Sequence, residues 1–170
     1  MTIAMQPIYT QTVGAGGAAS VTFNSIPQDF TDLKVVVSGR SARAGQQADN
    51  LFITFNATTT GYTTRNIMGN GSTATSASYS SRYAANSVDA AGSTASTFSS
   101  HEIYIPNYAS ANNKSYSVDS VSENNASNAQ SDLFAGLWRN TAAITSISLL
   151  PEVSTWVQYT TISLYGITKG

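Results

Sequence analysis

The chain has one histidine, His101, beside the acid Glu102 in the stretch HEIYIPNY (101–108), and a Ser-His-Asp hydrolytic arrangement would have to use it. Alternation along a strand puts Glu102 on the opposite face from His101, so the adjacent acid cannot orient the ring. No serine sits in the strand-turn-helix context of a nucleophile elbow. His101 is therefore expected as a surface or interface residue. The nine acids, Asp29, Asp32, Asp49, Asp89, Glu102, Asp119, Glu123, Asp132 and Glu152, are dispersed singly. A carboxylate pair for glycoside cleavage would have to be assembled by the fold, and depolymerases that do this are usually long solenoids, whereas this chain is short and repeat-free. There is no D-x-D-x-D-G loop and no histidine cluster, and GAGGA (14–18) leads into a strand, which makes it a turn and not a phosphate cradle. Without cysteine, thiol chemistry is also out. These residues predict no catalytic, metal or cofactor site and a protein that is not an enzyme.

Composition points the same way. Charged residues make up 10% of the 170 residues, against about 25% in an average soluble domain. Eight Lys and Arg stand among the nine acids for a net charge of −1, with no stripe to attract nucleic acid or anionic lipid. No segment approaches the ~20 apolar residues of a membrane span, and MTIAMQPIYTQ lacks the basic and apolar regions of a signal peptide. Neither nucleic acid nor membrane is expected as a partner.

The elements that must position any site are strands. Period-two alternation recurs in QPIYTQTV (6–13), ASVTFNSI (19–26), DLKVVVSGRS (32–41), LFITFN (51–56), HEIYIPNY (101–108), SYSVDSVS (115–122), LFAGLWR (133–139), AITSISLL (143–150) and WVQYTTISLYGI (156–167). The first two flank GAGGA and read as a hairpin. SDLFAGLWRN could form a short helix from its i,i+4 apolar pairs, but Gly136 and the flanking strands favour β. Residues 57–100, rich in Ser, Thr, Ala, Gly and Asn, read as a loop-rich or edge layer. About nine strands without βαβ alternation predict one all-β domain over 1–170, an antiparallel β-sandwich of jelly-roll type.

The terminal segment carries Tyr159, Tyr165 and Ile167 on one face and Trp156, Ile162 and Leu164 on the other. Two apolar faces predict either a partner covering the second one, hence a homotrimer, or a bulge at Thr160–Thr161 that switches the face.

The stretches IPQDFTDLKVVVSGRS (26–41), LFITFN (51–56), IYIPNY (103–108), GLWRNTAAITSISL (136–149) and WVQYTTISLYGI (156–167) resemble a group of small virion structural proteins of tailed bacteriophages. The likeness covers both halves of the chain and fails mainly between Ala57 and Ser100. It implies a β-sandwich subunit on the virion, either a capsid cement or decoration protein or part of a tail fibre. The compact, weakly charged chain favours cement on the head surface, with the major capsid protein and copies of itself as partners. The alternative is a tail or fibre module whose tyrosines stack on host glycans. On the cement reading, residues 1–12 are a docking arm, with Ile3, Met5, Pro7, Ile8 and Tyr9 as contact residues, joined by Trp138, Arg139, Trp156 and Tyr165.

Overall fold

The computed structural model describes residues 5–125 and 129–168. Ile3, expected in the docking arm, lies outside the described residues.

Twelve strands and no helix make up the described chain. They are β1 (Met5–Thr12), β2 (Val21–Phe23), β3 (Asp32–Gly39), β4 (Ala48–Phe55), β5 (Tyr62–Gly69), β6 (Ala74–Tyr79), β7 (Tyr83–Asp89), β8 (Ser99–Ile105), β9 (Lys114–Ser122), β10 (Gln130–Trp138), β11 (Ile147–Pro151) and β12 (Thr161–Ile167). An eight-stranded sheet runs β1-β12-β3-β8-β9-β10-β5-β6, and a four-stranded sheet runs β2-β11-β4-β7. All named pairings are antiparallel, and the two sheets form a β-sandwich.

Alternation sets which face each strand buries. Along β9 burial switches at every one of nine residues, with Tyr116 and Val118 inward and Ser115, Ser117 and Asp119 outward. Leu33, Val35, Leu51, Ile53, Ile103 and Leu164 are fully buried where the inner faces meet. The ambiguous SDLFAGLWRN is strand β10, as Gly136 indicated.

The hairpin expected around GAGGA does not form. β1 pairs with β12 in the large sheet and β2 with β11 in the small one, so the glycine loop carries the chain across the core. Val13 and Val21, on either side of it, are both buried. The arm expected over 1–12 is, from Met5 to Thr12, the edge strand of the large sheet. Residues 57–100 do supply edges, because β6 borders the large sheet and β7 the small one. They are not loop-rich, however: they build three strands, and Tyr62, Ala84, Ala85 and Val88 belong to the core.

The last described strand is built into the large sheet. β12 lies between β1 and β3, with Ile162 and Leu164 buried and Tyr165 and Ile167 half-buried on the outer face. Trp156 precedes the strand and is fully buried, and Tyr159 turns the chain with φ 73°. Trp156, Thr160, Ile162 and Leu164 are all buried and β12 pairs with β3 without a register shift, so the bulge expected at Thr160–Thr161 is not seen. The trimer expectation rested on a doubly apolar strand, and β12 half-covers its second face within the subunit.

Candidate functional site

His101 is not at the surface. It is fully buried between the sheets, because β8 points it inward in line with Ile103 and Ile105. Its nitrogens meet Ser99 Oγ at 2.8 Å and Ser120 Oγ at 2.8 Å. Ser99 gives its only hydroxyl proton to the Gly39 carbonyl at 2.9 Å, so the ring must donate through Nε2. Nδ1 then accepts from Ser120, whose Oγ also lies 2.7 Å from Ser87 Oγ. At Nε2 this polarity is the reverse of a hydrolytic dyad, where the serine donates to that nitrogen. Burial holds the imidazole at a pKa of about 4, and the nearby Asp89 carboxylate offsets only part of that effect.

The same seam holds Asp89, fully buried on β7. Its Oδ1 accepts from Ser122 Oγ and Asn124 Nδ2, each at 2.6 Å, while Oδ2 has no partner among the described residues. Asp132 on β10 is buried nearby, bonded to Asn86 N and Gln130 Nε2, and burial raises its carboxyl. Ser87 and Asp89 come from the small sheet and Ser99, His101, Ser120 and Ser122 from the large one. The network fastens one sheet to the other through groups closed to solvent. Among the described residues, no three His, Asp or Glu side chains come together to hold a metal ion.

The expected contact residues fall into two sets. Trp138 and Trp156 are fully buried, which corrects their assignment to an interface. Trp138 packs on Phe55 and Tyr62, with ring centroids 5.5 and 6.2 Å away, and Trp156 Nε1 donates to the Leu149 carbonyl at 3.0 Å. Met5, Pro7, Tyr9 and Arg139 are exposed, and Ile8 and Tyr165 are half-buried. The structure brings Met5, Pro7 and Tyr9 together on β1, with Tyr165 of β12 opposite Pro7, and leaves Arg139, after β10, apart.

A different apolar feature stands on the outer face of the large sheet. Ile67 on β5 and Leu133 on β10 are directly opposite in register and are 64% and 59% exposed. Val121 on β9 stands diagonally beside them, facing Ser131, and is also exposed. The rest of the face mixes Ser, Thr and Ala with the exposed Tyr104, Asp119 opposite Leu133, Arg65 on β5 and a Lys34–Glu102 ion pair at 2.7 Å. Apolar residues on an outward face have no partner inside the subunit, so this cluster is the best candidate for a contact surface. Sequence reading placed Ile67 within the loop-rich tract 57–100 and Leu133 in a strand. Their pairing depends on the β5–β10 register, which no local motif specifies.

Comparison with known proteins adds no relative: no family model, no curated protein and no solved structure matches the chain.

Proposed function

We propose that the protein is a structural protein of a tailed-bacteriophage virion, a cement or decoration subunit that binds major capsid protein on the head surface and stabilises the shell. The resemblance of its strand motifs suggests the setting. The observation that carries the binding role is the Ile67–Leu133 pair, apolar and exposed on a broad face with few charges. Such a face binds through burial and shape, with weak dependence on salt. Strand order supports the jelly-roll reading within this proposal: β1-β12-β3-β8 opposes β2-β11-β4-β7, the interleaving of a two-sheet jelly roll, and β9, β10, β5 and β6 extend the first sheet. The test is to add purified protein to shells assembled without it. Saturable binding, a raised shell melting temperature and immunogold label on heads would support the reading. Label on tails would reject it.

One feature favours the second reading, a tail or fibre module for host glycans. Tyr159 is 67% exposed and sits in the left-handed region with φ 73°, an unusual way to present an aromatic ring. Immunogold position separates the two readings.

A further inference from the structure

The sandwich has four sheet edges, and three of them are blunted. β1 carries Pro7 and a register shift between Pro7 and Tyr9. β2 is only three residues long. β7 pairs with β4 through two register shifts. These are familiar devices by which natural sheets avoid joining another chain.

The fourth edge, β6, has none of them. Its sequence ATSASY contains no charge, proline or glycine, and all six of its residues stay in unbroken register with β5, from Thr64 opposite Tyr79 to Gly69 opposite Ala74. The strand is exposed to half-exposed throughout. An edge that is regular, uncharged and open presents a row of backbone donors and acceptors, and the partner that satisfies such a row is another extended strand. The neighbouring strands β5 and β10 carry the exposed Ile67 and Leu133, so the least protected edge and the outward apolar pair share one end of the sheet.

We infer that β6 is the pairing edge for a second copy of this chain, joined β6 to β6 about a two-fold axis. Charge selects this occupant. ATSASY meets itself without like charges, and a pairing centred on Ala77 sets Ser76 opposite Ser78 of the second copy, small side chains that let the backbones close. The nearest cation on the flanking strand, Arg65, lies opposite Ser78 within the subunit. It would stand three strand spacings from its copy, roughly 14 Å, beyond the ~8 Å Debye length at physiological salt. The contact is small, below the roughly 1,200 Å² of a stable dimer. The dimer is therefore weak in solution and gains strength where copies are held side by side. The inference does not rest on the capsid reading, because pairing is measured on the protein alone.

The experiment is sedimentation equilibrium of the full chain from low micromolar to near-millimolar concentration. It uses the wild type, the double variant Ser76→Lys with Ser78→Lys, and the double variant Ser76→Glu with Ser78→Glu. The wild type should move from monomer to dimer across that range. Each charged variant should dimerise at least about tenfold more weakly, since like charges would face each other across the pair. Mixing the two variants should restore a mixed dimer, and unchanged melting temperatures would show that each variant is folded. A wild type monomeric throughout, a trimer, or a dimer indifferent to the substitutions would overturn the assignment.

Discussion

The ring of Tyr116 lies directly over Gly136: a Cβ placed on that glycine would stand 2.0 Å from the Tyr116 Cζ. The two residues are opposite each other in the β9–β10 register. Tyr116 is buried and stands edge-on to Phe55 at 5.7 Å, and its hydroxyl donates to the Tyr83 carbonyl at 3.1 Å. The ring cannot move aside without breaking that bond. Gly136→Ala should therefore destabilise the protein by about 1–3 kcal/mol or more, a fall of roughly 2–4 °C in melting temperature per kcal/mol. Thermal melts check this, and an unchanged Tm would mean the ring relocates freely.

Acid should loosen the seam around His101. The folded-state pKa of about 4 lies below the ordinary 6.5, so the unfolded chain takes up this proton first. The stability involved is present in full above pH 6.5 and is lost as pH falls towards 4, by about 3 kcal/mol. Asp132, whose carboxyl is raised, acts in the opposite sense, because its protonation at low pH favours the fold. Melting temperature against pH should slope downward between 6.5 and 4 in the wild type. In His101→Gln it should lie lower at neutral pH and lose that slope.

Docking should depend on the outward apolar pair. Replacing Ile67 and Leu133 together with serine should leave the melting temperature within a degree or two, since both are mostly exposed. Occupancy on reconstituted shells should fall several-fold. Binding that survives the double change would move the capsid contact to another face.

The N-terminal strand should matter for folding as well as for contact. β1 pairs with β12 at seven positions, and Tyr9 stacks on Phe23 at 5.7 Å. Deleting residues 1–12 should lower stability by about 1–4 kcal/mol, from cross-strand pairs worth a few tenths to 1 kcal/mol each. A melt that matches the intact chain would show that β12 does not need this edge.

Truncation at the other end should be more severe. Removing Leu164–Gly170 takes away the fully buried Leu164, half-buried Tyr165 and Ile167, and most of the β12 pairing with both neighbours. Burying one large apolar side chain is worth about 1.5–3 kcal/mol, and a whole domain has only about 5–15. Circular dichroism should show an unfolded product, whereas deletion of Lys169 and Gly170 alone should leave a folded one.

Strands were legible in the sequence wherever a local pattern dictates them. Alternation marks β9, and Gly136 separates β10 from a helix even before Tyr116 supplies the reason. Partner choice was not legible. GAGGA marks a turn, but whether the chain doubles back in one sheet or crosses to the other depends on Val13 and Val21 being buried together, a tertiary fact. Residues 84–89 looked like polar loop because Ala84, Ala85 and Ser87 are small, and small side chains are what β7 uses where it packs against the large sheet. His101 looked like a surface residue because its hydroxyl partners are serines in a serine-rich chain. Only the fold shows that Ser87 and Ser120 lie near the ring.

The antiparallel pairing of β1 with β12 places Met5 opposite Ile167, so the first and last described strands meet with their outer ends together. A short peptide could join those ends and the chain could be reopened at the Asn70–Thr73 turn between β5 and β6, which is exposed and held by Asn70 Oδ1. Such a circular permutant would keep the strand pairs while turning the pairing most distant along the chain into a hairpin. The cut would in turn put β6 first and β5 last, so the pairing that closes at the longest range would move from β1–β12 to β5–β6.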